Sequence, residues 1–187
     1  MTTLKTPWGE GTPWKSSVAF FTYLRGCLRK AWSRNPIKLE VLKKKRKRIS
    51  NPNPRGAIKE VWGFDCAVCE KTLPLKEGQV DHIVPAGSLT RVEDIQGFVQ
   101  RLLFVREEDL RLVCKDCNST LAYAERQGLS FEEAQLQKLV ITITKKPVAE
   151  IKAWLIAKGY TPASNAAARR KQIKEVLEDE QNSKTTS

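Results

Sequence analysis

Apolar residues recur at helical spacing through SSVAFFTYLRGCLRKAWSR (16–34), at Val18, Phe21, Leu24, Leu28 and Trp32. That is the period of an amphipathic α-helix, and Ser16 or Ser17 can cap its start. Arg25, Arg29, Lys30 and Arg34 crowd the remaining faces, and Cys27 falls near the apolar stripe as an expected small core residue. Asn35-Pro36 should stop this helix and open a second one, with Asn35 as cap and Pro36 in the first turn. The second helix, PIKLEVLKKKRKR, runs on into six consecutive basic residues, Lys43, Lys44, Lys45, Arg46, Lys47 and Arg48. NPNPRG (51–56) breaks the pattern and marks the clearest boundary in the chain.

Beyond it the pattern shortens. GQVDHIVP (78–85) reads as a strand, and 88–105 contains a helix with Ile95, Phe98, Val99 and Leu102 on one side. DLRLVC (109–114) is a second strand, and DCNSTLAYAERQ is helical up to Gly128 as C-terminal cap. Ser130 with Glu133 forms a capping box for a helix from Phe131. KPVAEIKAWLIAKG and NAAARRKQIKEVLEDE read as two more helices, and NSKTTS as a frayed tail. There is no internal repeat. The expected organisation is a basic helical arm (1–56), a core holding most cysteines and the histidine (57–130), and a helical extension (131–187). The fold class is α+β.

Charge sharpens this division. The formal net charge is +12, and the first 60 residues carry an excess equal to all of it. The middle is slightly acidic and the last third mildly basic. Such a field favours a polyanion, with Lys and Arg contacting phosphates. The run Lys43 to Arg48 is expected to grip a nucleic-acid backbone, helped by Arg25, Arg29 and Lys115. A solvated basic surface is the plainer alternative. No stretch approaches the length of a membrane span and no hydrophobic leader opens the chain, so a cytosolic protein is expected. An odd number of cysteines, five, then argues for metal rather than a disulfide framework.

CAVC (66–69) and CKDC (114–117) are two Cys-x-x-Cys pairs. Each aims two thiolates at one ion, and together Cys66, Cys69, Cys114 and Cys117 complete the S4 set that structural zinc prefers. The 44 residues between the pairs require a folded insertion. Inside or just beyond this frame lie Asp81, the only histidine His82, Asp109 and Asn118.

Cys-x-x-Cys, then VDHIVP, then DLRLVCKDCN resembles the HNH endonuclease family, over about residues 62–127. The resemblance implies a ββα-metal fold with His82 as general base. It also implies Asp81 and Asn118 as ligands of a catalytic Mg²⁺ or Mn²⁺, and ends bearing 5′-phosphate and 3′-hydroxyl. Where the family's middle Asn supports the active-site loop, this chain has Asp109. LKTPWGEGTPW and the NPNP element are similar to HNH proteins of tailed phages, often labelled homing endonucleases. That likeness implies a phage-encoded protein in a bacterial cytoplasm, acting on double-stranded DNA, alone, as a homodimer or with packaging proteins. Residues 148–177 are faintly similar to SAP-type DNA-binding motifs, which would make Ile151, Trp154 and Leu155 core and Arg169, Arg170 and Lys171 contacts.

The chemistry is consistent with that resemblance. Phosphodiester hydrolysis needs an activated water, and imidazole titrates closest to neutral pH. Asp and Asn oxygens suit Mg²⁺, which keeps places for water and phosphate. Neighbours on a strand point to opposite faces, so Asp81 and His82 share a site only if the strand ends or bends there. The rival readings are a zinc-stapled DNA-binding protein without cleavage, and a packaging accessory factor.

Overall fold

A computed structural model describes residues 6–54 and 57–185. It is a mixed α+β protein whose chain divides into two compact units, Met1–Lys115 and Asp116–Ser187. Among the described residues no helix is long and apolar enough to cross a membrane.

In the first unit, helix α1 (Ser17–Ser33) starts where Ser16 accepts a hydrogen bond from Ala19 N, and α2 (Pro36–Lys45) starts at the Asn35 cap. The α1 stripe buries Phe21 against Leu89, Phe98 and Leu102, with Leu24, Leu28 and Trp32 packed beside them. Phe98 and Leu102 come from α3 (Asp94–Leu103). Two expectations for α1 fail. Cys27 is exposed, because six residues at 100° each set it about 120° from Phe21 on the helix. Val18 is 73% exposed. The covering instead falls on Phe20, whose ring meets Trp8 and Trp14 of the preceding segment at 5.7 and 5.2 Å.

The second helix also ends sooner than its pattern suggests. Arg46 turns extended and β1 (Lys47–Ser50) follows, so the basic run is split between helix end and strand. Strand β1 pairs antiparallel with β2 (Glu60–Asp65), Lys47 opposite Gly63, and β2 pairs with β3 (Thr72–Pro74). This three-stranded sheet is absent from the sequence reading. Its formation takes Lys47 and Arg48 out of the expected helix, since cross-strand bonds to β2 outweigh a continued helical turn of like charges.

A second, two-stranded sheet joins β4 (Gly78–His82) to β5 (Leu110–Cys114), with Val80 opposite Leu112 and His82 opposite Leu110. The expected strands are there; the first ends at His82, short of Pro85. Gly78 holds the sheet against Phe64, which is fully buried, and a Cβ at Gly78 would lie 2.8 Å from that ring. Gly78→Ala is therefore expected to destabilise by about 1–3 kcal/mol, the usual range for overpacking, seen as a lower urea midpoint. An unchanged midpoint would mean the ring has room to move.

The second unit is helical. Helix α4 (Lys115–Gln127) ends at Gly128, whose φ of 63° is left-handed, and the Ser130–Glu133 capping box opens α5 (Phe131–Thr144). Helices α6 (Val148–Ala157) and α7 (Ala166–Thr185) complete a core of Leu136, Val140, Ile151, Leu155, Ile173, Val176 and Leu177, with Trp154 alongside. Ile151, Trp154 and Leu155 are thus core, as expected. The tail is not frayed up to residue 185, since α7 runs through it; residues 186–187 lie outside the described residues.

Arg169 corrects a further expectation. It is only 8% exposed, and its Nη1 donates to Ala163 O at 2.8 Å and Ser164 O at 2.6 Å. It clamps the extended segment before α7 instead of facing a ligand. Arg169→Ala leaves both carbonyls without this donor and should cost about 1–3 kcal/mol, with no change in nucleic-acid affinity measured by anisotropy on the folded protein. A drop in affinity would return Arg169 to the contact set.

Candidate metal centre and histidine cavity

The Sγ atoms of Cys66, Cys69, Cys114 and Cys117 all lie within 4.8 Å of one another, and those of Cys69 and Cys114 are 4.0 Å apart. Four sulfurs about 2.3 Å from one zinc stand about 3.8 Å apart, so the set fits a zinc ion. The local backbone shapes it. The chain turns tightly after Cys66, with Glu70 N donating to Cys66 O at 2.9 Å and Glu70 at φ 59°. Ala67 N donates to Leu112 O and fastens this knuckle to β5. Cys114 N donates to Cys66 Sγ at 3.2 Å. Burial pushes the Cys66 thiol up, but amides of Cys69, Cys114 and Val68 outweigh it and bring the thiol down to about 6. The thiolate is the form that zinc takes. Cys27, on an exposed face of α1, stands outside the set.

His82 closes β4 and is half-buried. Its Nε2 lies 3.1 Å from Leu102 O. A carbonyl only accepts, so in the neutral ring Nε2 carries the hydrogen and Nδ1 keeps the lone pair. Trp32 lies over the ring, centroids 4.2 Å apart and tilted by 39°. His82 lines a cavity of about 340 Å³ together with Val84, Gln100, Arg101, Phe104 and Asp109. Asp109 ties both ends of this region: its Oδ2 accepts from Arg106 N at 2.7 Å, and its carbonyl accepts from Ile83 N at 2.9 Å, one residue past His82. The tie beside His82 is thus made by the main chain, and the Asp109 carboxylate caps its own short turn.

Asp81 is placed differently. Its Oδ2 accepts from Arg111 Nε at 3.1 Å and Nη2 at 3.0 Å. Asp81 and Arg111 are register partners on one face of the β4–β5 pair, whereas His82 belongs to the alternate face with Leu110. The structure therefore brings His82 and Asp109 to one cavity and sets Asp81 against Arg111. Asn118 sits in the first turn of α4, half-buried, one residue past Cys117. The sequence marks Trp32 only as part of the α1 stripe, and its meeting with His82 has no signal there. Arg111 was visible in DLRLVC, but its partner follows only from the register.

The basic residues are spread over several settings. Lys43, Lys44 and Lys45 form the last turn of α2, where Lys44 reaches Glu107 at 2.5 Å. Lys47 pairs with Asp65 at 2.6 Å. The guanidinium carbons of Arg46 and Arg48 stand 4.2 and 4.5 Å from the Trp62 ring centroid. Lys115 pairs with Glu77 at 3.8 Å. Arg29 is exposed and Arg25 half-buried on α1. Ion pairs at this exposure contribute little and exchange readily.

No protein-family model, curated protein or solved structure matches the chain. The site is consequently read from its own chemistry.

Proposed function

We propose that the chain is a metal-dependent DNA endonuclease of HNH type, with a zinc-stapled ββα-metal core. One observation carries the reading. The only histidine ends β4 on the rim of a cavity, with Nε2 committed to the Leu102 carbonyl and Nδ1 left as the accepting nitrogen. Two further features support it: β4 pairs with β5, and β5 runs directly into α4 at the second Cys-x-x-Cys.

In this reading Nδ1 takes a proton from water, the water oxygen bonds to phosphorus, and the bond to the 3′ oxygen breaks, that oxygen keeping the electron pair and taking a proton from solvent. The ends would be 5′-phosphate and 3′-hydroxyl. By the resemblance, Asp81 and Asn118 would offer the hard oxygens for Mg²⁺ or Mn²⁺; only the end of β4 at His82 would let neighbours on alternate faces serve one site, where the ion would supply positive charge beside the phosphate. Arg111 already engages Asp81 Oδ2, so a divalent ion would compete with that pair or take the neighbouring oxygen. Zinc on the four cysteines is structural. The test is conversion of supercoiled plasmid to nicked or linear product by pure protein with Mg²⁺ or Mn²⁺, and none without added divalent ion.

The Asp81–Arg111 pair and the Trp32 cover on His82 favour a second reading, a zinc-stapled DNA-binding or packaging-accessory protein. Binding of duplex DNA with no cleavage under either ion would establish it.

Lys43 to Arg48 would hold the backbone in both readings. Neutralising Lys43, Lys45 and Arg48 should flatten the log–log salt dependence of duplex binding by roughly 2–3, about 0.9 per phosphate contact, while sequence preference survives. An unchanged slope would make the run a solvated face.

A further inference from the structure

We propose that the groove between α5 and α7 binds the phosphodiester backbone of nucleic acid, through Arg170, Lys171, Lys174 and Gln137. These four, with Val140 and Ala167, line a cavity of about 360 Å³. Ala167, Arg170, Lys171 and Lys174 follow one another at i, i+3, i+4 and i+7, which is one face of a helix. Arg169, turned inward to clamp Ala163 and Ser164, is excluded from that face.

The polar lining donates hydrogen bonds. Gln137 Oε1 accepts from the Tyr123 hydroxyl at 2.9 Å, so the amide NH₂ is the group it has to offer. Arg and Lys only donate. Three positive charges and an amide donor complement oxygens that only accept, as phosphodiester oxygens do. The local acids compete weakly: Lys171–Glu175 at 3.8 Å and Lys174–Glu178 at 3.4 Å are exposed i,i+4 pairs, and such pairs contribute little. The apolar floor of Val140 and Ala167 suits a sugar better than a second charge.

Arg170 and Lys174 stand one helical turn apart, roughly 6 Å along the axis. That spacing meets neighbouring charges on a polyanion better than a single small ion. Lysines at such a site act as point charges with no fixed geometry for base edges, so binding should be independent of sequence. The inference needs nucleic acid as a partner but does not depend on hydrolysis at His82.

The test uses the full-length, zinc-loaded protein and a short fluorescein-labelled duplex in buffer free of added divalent ion, across a NaCl titration. R170Q/K171Q/K174Q should lower the log–log slope by roughly 2–3 and Lys174→Gln alone by about 0.9, with unchanged circular dichroism. A slope and affinity equal to wild type in both variants would overturn the proposal. Inorganic phosphate added at constant ionic strength distinguishes the sources of the anion. Equal, weak competition in wild type and triple variant supports a polyanion site. Phosphate binding lost in the triple variant, with its duplex affinity intact, would make this a small-anion pocket and overturn the assignment. Plasmid cleavage is scored separately, so failure of the nuclease reading leaves these outcomes readable.

Discussion

Cys66→Ser is expected to abolish zinc binding and to unfold the segment it staples, while wild type carries one equivalent by elemental analysis. Cys66 is 1% exposed. It stands among three other sulfurs and accepts the Cys114 amide on its own sulfur. A serine hydroxyl there is a poor zinc ligand and still has to be buried. In small sites, metal binding free energy on the order of 10 kcal/mol is folding free energy. The knuckle also fastens to β5 through Ala67 and Leu112, so losing it should loosen the strand pair that presents His82. Circular dichroism and proteolysis should show the loss, and Cys117→Ser should behave alike. Cys27→Ser, on an exposed face, should leave zinc content and stability within about 0.5 kcal/mol of wild type. Pure wild type that is folded without zinc would overturn this reading.

His82→Ala should lower plasmid cleavage by about 10²–10⁴-fold, the usual scale for losing a general base, with zinc content and duplex affinity nearly unchanged. A base acts on the attacking water and contributes little to ground-state binding, so its loss belongs in the rate. The substitution also removes the ring under Trp32, and a fall in melting temperature small beside the loss in rate is the expected accompaniment. Asp81 needs a gentler probe, because alanine would leave the Arg111 guanidinium half-buried without its partner. Asp81→Asn keeps a hydrogen-bond acceptor but removes the negative charge that would hold the ion, so excess Mn²⁺ should restore part of its activity. No divalent ion should restore His82→Ala. If His82→Ala cuts like wild type, the histidine is structural.

Much of this protein is legible in its sequence. Local signals sufficed where the cause is local: the Asn35-Pro36 junction, the Gly128 stop and the Ser130–Glu133 box all form as read. Each rests on a backbone preference or on a partner within four residues. The four cysteines were legible for a different reason. Thiolates in knuckles two residues apart have few uses besides metal, so residue type fixed their grouping across 44 intervening residues.

What failed depended on partners distant in sequence. Lys47 and Arg48 look helical until β2 offers them a strand to pair with, and Arg169 looks like a ligand contact until two carbonyls before α7 claim it. Asp81 has a counter-ion only because register sets Arg111 opposite it, and His82 has a fixed tautomer only because the end of α3 presents a carbonyl to it. The sequence by itself determined most of the helices, several of their caps and the grouping of four cysteines, since those follow from short-range sterics, hydrogen bonding and side-chain chemistry. Tertiary structure alone decided which face each charge occupies and which nitrogen of His82 carries the hydrogen, because both depend on contacts between segments that no periodicity encodes.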